Sequence, residues 1–143
     1  MRTILVATDG SEGSTRAVRI GAEMAKELGA TLTLVTIGPE YASEEHRQFA
    51  YVEGGGSPHA AETFARNVLN DAENLARQCG VSESKTSLAF GNPVREIIEI
   101  AKEENAGAII VGRRGRGQLS GLILGSVSQK LASLAPCPVM VVP

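Results

Sequence analysis

The feature that most limits the possible folds of this sequence is an alternation of short apolar runs with segments of helical periodicity. The apolar runs are too short for buried helices and favour β-strands. They occupy residues 3–7, 31–37, 84–90, 107–111 and 139–142. Strands that alternate with helices, and that are apolar on both faces, are typical of a parallel sheet covered by helices on both sides.

Four helices are predicted between these strands, from the residues that begin and end them. Gly29 and Gly80 are typical of positions just after a helix, whereas Ser57 and Asn92 each precede a proline as an N-cap does. The helices are predicted near residues 11–28, 58–79, 93–101 and 126–134. In the second of them, helical spacing predicts a buried stripe of Ala61, Phe64, Val68, Ala72, Leu75 and Cys79.

Two polar segments predict the order of the strands. Asp9 and Gly10 follow the first strand, and a glycine-rich loop follows the fourth. In such sheets, ligands bind beyond the carboxyl ends of the strands, at the point where the strand order reverses. A shared site therefore requires strands one and four to be neighbours. We predict one domain over residues 1–143, a doubly wound, Rossmann-like α/β fold with a five-stranded parallel sheet in the order 3-2-1-4-5.

Composition excludes several other classes of protein. The chain has 143 residues and a formal net charge of −2. Only 3% of its residues are aromatic and none is tryptophan, which argues against a surface on which nucleic-acid bases stack. No apolar run approaches the roughly 20 residues of a membrane span, and no signal peptide is recognisable, so a cytoplasmic location is expected. Cys79 and Cys137 form no CxxC pair and are interpreted as bystander thiols.

The segment between the fourth strand and the last helix predicts a phosphate-binding loop. It reads Gly112-Arg113-Arg114-Gly115, and Gly125-Ser126 follows after nine residues. Glycines allow close approach and positive φ, and the first N–H groups of a helix attract anions. The spacing matches neither the Walker A pattern nor the dinucleotide G-x-G-x-x-G.

These residues resemble the universal stress protein family, in its single-domain, ATP-binding type. The family pattern is G-x-x-G, nine residues, then G-[S/T], and the chain also resembles the family at Thr8–Ser11 and at its last strand. The resemblance covers the whole chain and departs only between residues 38 and 57. It implies a doubly wound fold, a homodimer, ATP bound with Mg²⁺ or Mn²⁺, and a role in stress responses or in regulating partner proteins.

The motif and the resemblance together predict the residues of the nucleotide site. They are Ala7, Asp9, Ile37, Gly112, Arg114, Gly115, Gly125, Ser126, Val127 and Ser128. The resemblance places the backbones of Ala7 and Ile37 beside adenine. It makes Arg114 the arginine that touches the ligand, whereas Arg113 and Arg116 are expected to face solvent.

Several of these residues also have a purely structural interpretation. Asp9 would contact the base, the ribose or a metal-bound water, or it is a turn aspartate that bonds the amides of Gly10 and Ser11. Ser126 and Ser128 would present N–H and hydroxyl donors to the phosphates. The run from Ser126 to Gln129 also fits a capping box, with Ser126 as N-cap.

Two functions remain possible from the sequence, and a third is disfavoured. A regulatory ATP-binding module is favoured, and the alternative is an enzyme that hydrolyses ATP slowly or transfers an adenylyl group. The enzyme is disfavoured because no nucleophile–base pair is recognisable, and His46 and His59 are isolated, so no catalytic residue and no protein metal site are predicted. An interaction protein without nucleotide is disfavoured because the loop keeps its glycines. The sequence leaves open whether ATP, ADP or AMP is the resting ligand.

Two further expectations concern surfaces. Val139–Val142 is apolar and would lie at the sheet edge, so antiparallel pairing with a second copy is expected to make a homodimer. No nucleic-acid or membrane partner is expected, and a protein partner is unidentified. Residues 38–57 form an unusually long connection, with a short helix predicted at 43–52. It is interpreted as a mobile flap or partner surface whose order depends on nucleotide, or as a tolerated insertion.

Overall fold

A computed structural model of the chain describes residues 2–42, 57–115 and 124–143. Its strands are β1 (Thr3–Ala7), β2 (Thr31–Gly38), β3 (Lys85–Phe90), β4 (Ala108–Gly112) and β5 (Val139–Val142). Its α-helices are α1 (Glu12–Leu28), α2 (Pro58–Gln78), α3 (Pro93–Glu103) and α4 (Ser126–Leu134). A short 3-10 turn covers Glu40–Ala42, and the helix predicted at 43–52 lies outside the described residues.

The strands form one parallel sheet in the order β3-β2-β1-β4-β5, which confirms the predicted topology. Alternate residues of each strand point to opposite faces, so the sheet has two cores. On one face, α1 and α2 pack over residues such as Val6, Leu34 and Ile110. On the other face, α3 and α4 pack over residues such as Leu5 and Ile109.

The buried face of α2 differs from the predicted stripe. Phe64 is 47% exposed, and Ala61 and Leu75 are half-buried. The buried residues are Ala65, Val68, Leu69, Ala72 and Ala76. Three of these five are alanines. Val68 and Ala72 are buried as predicted, but the centre of the face lies about one position later in the sequence, so Ala65 and Ala76 are buried in place of Phe64 and Leu75.

No helix in the described part of the chain is both long enough and apolar enough to span a membrane.

Candidate functional site

A cleft of about 390 Å³ opens at the carboxyl edge of the sheet, between β1 and β4. This is the position where the strand order reverses, as expected for a ligand site in a doubly wound sheet. The volume lies within the ~300–1,000 Å³ that is usual for small-molecule sites. The cleft therefore has both the place and the size of a site for one small organic ligand.

All ten residues predicted for the site line this cleft. They are Ala7, Asp9, Ile37, Gly112, Arg114, Gly115, Gly125, Ser126, Val127 and Ser128. They are distant in sequence, but they meet because β1, β2 and β4 end at the same edge of the sheet. The side chains of Ser14, Val35, Pro93 and Ile97 also line the cleft and were not predicted. Only a tertiary structure brings these four to the cleft, because each looks like an ordinary helix or strand residue in the sequence.

The cleft has an apolar part formed by strand ends and by α3. Ala7, Ile37 and Val111 come from three strands, and Pro93 and Ile97 come from the first turns of α3. None of these side chains offers a charge or a hydrogen bond. This part of the cleft is suited to a flat apolar group such as an aromatic ring.

The other part of the cleft is lined by the glycine-rich segment and by the first turn of α4. Gly125 is the N-cap of α4, and no side chain caps this helix. The predicted capping box is therefore wrong, because the N-cap is Gly125 rather than Ser126, although the helix spans residues 126–134 as predicted. In contrast, Ser11, Ser57 and Asn92 each cap their helix by accepting a backbone N–H. The uncapped first turn of α4 leaves its N–H groups available to an anion.

The main chain of Arg113 holds the two ends of the glycine-rich segment together. Its carbonyl oxygen accepts hydrogen bonds from the Gly125 N–H, at 2.7 Å, and from the Ser128 hydroxyl, at 2.8 Å. Its N–H donates to the carbonyl oxygen of Val142 in β5, at 2.6 Å. These bonds fix the start of α4 against the ends of β4 and β5.

The Ser128 hydroxyl therefore has a different use from the predicted donation to phosphate. It is 2% exposed and lies within hydrogen-bond distance of the Arg113 and Gly125 carbonyl oxygens. A hydroxyl has one proton, and these acceptors engage it. Ser126, by contrast, is exposed on the first turn. Of the two serines, Ser126 has the side chain that remains available to a ligand.

We expect Ser128→Ala to lower the free energy of unfolding by about 1–2 kcal/mol, because the Arg113 carbonyl loses a buried donor. The matched variant Ser126→Ala removes an exposed hydroxyl and is expected to change it by less than about 0.5 kcal/mol. Urea unfolding of both variants checks this. Equal destabilisation of the two variants would contradict the assigned role of Ser128.

The loop glycines allow other atoms to come close because they lack a Cβ, and they do not adopt unusual backbone angles. Gly125 has φ −72°, and neither Gly112 nor Gly115 has a φ in the left-handed region, so that part of the sequence interpretation is wrong. A Cβ placed on Gly112 would lie 2.7 Å from the carbonyl carbon of Gly13, in α1. A Cβ placed on Gly115 would lie against Oδ2 of Asp9. The left-handed angle occurs instead at Gly10, with φ 82°, directly after Asp9.

Asp9 begins a turn at the carboxyl end of β1. Its Oδ1 accepts the Ser11 N–H at 3.0 Å, as predicted for a turn aspartate, whereas the Gly10 N–H is 3.3 Å from the Thr8 hydroxyl. Behind this turn, the hydroxyls of Thr8 and Ser14 are both buried and lie 3.0 Å apart. The network holds the Asp9 carboxylate at the edge of the cleft, next to Gly115.

The His, Cys, Asp and Glu residues of the described part of the chain offer no metal site. No group of three or more His, Cys, Asp or Glu residues could hold a metal ion there. Burial raises the pKa of the Cys137 thiol, which packs against the core on the α3 and α4 face. A protonated, half-buried thiol fits the predicted bystander role. His46 and Arg116 lie outside the described residues.

Comparison with known proteins identifies the family. The profile of the universal stress protein family matches residues 1–143. The chain belongs to this family. Universal stress protein YxiE of Bacillus subtilis (strain 168) is 33% identical over 155 residues, a match that covers 97% of each chain.

Solved structures of universal stress proteins share the fold. A crystal structure of a universal stress protein in complex with cAMP has a TM-score of 0.77 and 28% identity, and the match covers 99% of this chain and 97% of that one. Universal stress protein UspA from Lactobacillus plantarum has a TM-score of 0.82 with 20% identity, over 99% and 97% of the two chains. The second likeness concerns the fold alone.

Proposed function

We propose that this universal stress protein binds ATP in the cleft, and that its nucleotide state modulates its assembly or a protein partner in a stress response. The observation that carries the proposal is the uncapped first turn of α4 in a cleft that also has an apolar part, formed by the strand ends and by α3. A nucleotide has the matching chemistry, because it joins a flat aromatic base to a chain of anionic phosphates.

Two further observations support the proposal, the first for the adenine group and the second for the phosphates. The solved universal stress protein that contains cAMP is 28% identical to this chain along nearly its whole length. In addition, Arg113 and Arg114 line the cleft next to the glycine-rich segment, where positive charge favours phosphates. ATP is the form that uses this charge most fully, since it carries more negative charge than AMP.

The cleft fits a divalent cation only together with phosphates. Of the described residues that line it, Asp9 is the one with a carboxylate, and one of its oxygens already accepts a hydrogen bond from the Ser11 N–H. Mg²⁺ and Mn²⁺ are commonly held by one or two carboxylates plus the phosphates of a nucleotide. Asp9 would take the carboxylate part, and the cation would neutralise charge between Asp9 and the phosphates.

Binding is favoured over catalysis by the residues that line the cleft. Among the described residues, Asp9, Arg113 and Arg114 are the ionisable side chains there, and no histidine, lysine or glutamate accompanies them. Among these residues, the candidate for a base that activates water is therefore the Asp9 carboxylate, and one of its oxygens already accepts a hydrogen bond. ATP turnover is expected to be far below the ~1–10³ s⁻¹ of typical enzymes.

The test is to denature the purified protein, identify any released nucleotide by chromatography, and then titrate nucleotide-free protein with ATP, ADP and AMP by calorimetry. We expect an adenine nucleotide to be released or to bind. Neither release nor binding would contradict the proposal. Turnover of several ATP per second that is lost in Asp9→Ala would instead favour an enzyme.

We also propose a homodimer through β5. This strand is at the sheet edge, Met140 is 39% exposed on it, and Pro138 and Pro143 flank it. Antiparallel pairing with a second copy would satisfy the edge N–H and C=O groups and cover the apolar side chains.

Light scattering at micromolar concentration checks the proposed dimer. Met140→Glu is expected to give monomers, because two-fold pairing would bring like charges together on the paired strands. The control is Leu134→Glu, which places the same charge on an exposed residue of α4 and is expected to remain dimeric. A monomeric parent protein would exclude the proposed assembly.

A further inference from the structure

A second, smaller recess lies between the first turns of α1 and the segment that follows β4. It has a volume of about 30 Å³ and is lined by Gly13, Arg16, Arg113, Arg114 and Pro143. A single water needs roughly 10–15 Å³, so this recess takes one small polar group rather than a nucleotide. Arg16 is absent from the residues that line the large cleft, whereas Arg113 and Arg114 line both.

Three guanidinium-bearing residues thus surround a space for one small group. Among the described residues, none of the three forms an ion pair with an Asp or Glu side chain. The ion pairs of this part of the chain involve other cations, namely Arg66, Arg77, Lys85, Arg95 and Lys102. Arg16 has an oxygen of Pro143 as a partner, but three guanidinium groups in one recess still repel each other, and an anion between them would lower that cost.

Arg113 gives the most direct sign of a missing acceptor. Its Nε is buried and has no hydrogen-bond partner in the described part of the chain. A buried donor without an acceptor costs free energy, so such donors usually have a hydrogen-bond partner in the functional state of a protein. The expectation from the sequence that Arg113 faces solvent is therefore wrong for this atom.

The recess is held open by the residues around it. The Arg16 Nε donates to the main-chain oxygen of Pro143 at 2.7 Å, which fixes the guanidinium group beside the end of β5. Gly13 forms part of the wall: a Cβ placed there would lie 3.1 Å from the Arg114 carbonyl oxygen and 3.8 Å from Nη2 of Arg16. A side chain at residue 13 would therefore intrude on the recess.

We propose that the recess of Arg16, Arg113 and Arg114 binds one phosphate group, with Arg16 as the residue that distinguishes ligands. Arginine is suited to this because its planar N–H donors match the oxygens of a phosphate. The group would be the terminal phosphate of ATP in the neighbouring cleft, a source that rests on the proposed function, or a free phosphate ion.

The test compares Arg16→Gln with Arg19→Gln in the full chain. Arg19 is exposed on the same helix and does not line the recess, so the control removes the same charge from α1. Affinities for ATP and AMP are measured by calorimetry at constant ionic strength. Binding of inorganic phosphate is followed as a rise in Tm relative to chloride at equal ionic strength.

If the terminal phosphate of ATP occupies the recess, Arg16→Gln weakens ATP binding about tenfold relative to Arg19→Gln and leaves AMP binding unchanged. If free phosphate occupies it, Arg16→Gln abolishes the rise in Tm and leaves both nucleotide affinities unchanged. The inference is overturned if the two variants behave alike toward ATP and toward phosphate. If the parent protein binds no nucleotide, the proposed function fails, and the phosphate response alone decides about the recess.

Discussion

Replacing Gly115 with valine is expected to weaken ATP binding about a hundredfold, which corresponds to about 2.8 kcal/mol of binding free energy. A Cβ at this position would meet Oδ2 of Asp9, and its methyl groups would stand at the part of the cleft where we place the phosphates. Gly115 is exposed, and the atom that it crowds is the end of a flexible side chain. The free energy of unfolding should therefore change by less than about 1 kcal/mol.

Adenosine provides the control for this variant. It keeps the base and the ribose but has no phosphate, so its affinity should be the same for Gly115→Val and for the parent protein. Calorimetry with ATP and adenosine, together with urea unfolding, separates loss of phosphate contacts from loss of structure. Unchanged ATP affinity, or an equal loss for adenosine, would contradict a phosphate site at Gly115.

The topology and the location of the site could be predicted from the sequence because they depend on patterns that the sequence carries directly. Short β-rich runs separated by helical periodicity require a parallel sheet. Asp9 after β1 and the glycines after β4 then require these strands to be neighbours, which the sheet confirms. The position of the cleft follows from the same arrangement, because the carboxyl ends of parallel strands share one edge.

The helix α4 begins at Ser126 as predicted, but its N-cap could not be predicted because a tertiary contact decides it. Ser126 is a better N-cap than glycine by local preference. In the structure, however, the Gly125 N–H donates to the Arg113 carbonyl oxygen, and the Ser128 hydroxyl donates to the same atom. These bonds join residues that are 12 and 15 positions apart, and local preference carries no information about them.

The small recess also could not be predicted from the sequence. Arg16 is separated from Arg113 by most of the chain, and in the sequence it resembles any exposed arginine on an amphipathic helix. Its role depends on α1 crossing beside the ends of β4 and β5, where it reaches Pro143. The dense basic cluster was recognisable at residues 113–116, but which of its members face protein rather than solvent depends on the packing of α1.

The structure divides the two glycines of the G-x-x-G motif between different roles, and Gly112→Ala tests the division. A Cβ on Gly112 would lie 2.7 Å from the Gly13 carbonyl carbon and 2.8 Å from the Ser14 nitrogen. Both atoms belong to the main chain of α1, so neither can move away as a side chain would. The end of β4 and the start of α1 must separate, and overpacking of this kind costs about 3 kcal/mol of unfolding free energy.

The matched variant for Gly112→Ala is Gly125→Ala, which adds the same methyl group to the other end of the loop. There the nearest atoms are the Arg113 carbonyl oxygen and the Arg114 Cα, both at 3.3 Å, so a shift of a few tenths of an ångström relieves the contact. We expect Gly125→Ala to lower the unfolding free energy by about 1 kcal/mol or less, as measured by urea unfolding without nucleotide. Equal losses of unfolding free energy in the two variants would mean that a methyl group fits as poorly at Gly125 as at Gly112. This result would contradict a specially tight contact between β4 and α1. A large loss confined to Gly112→Ala would show that this glycine serves the packing of strand against helix.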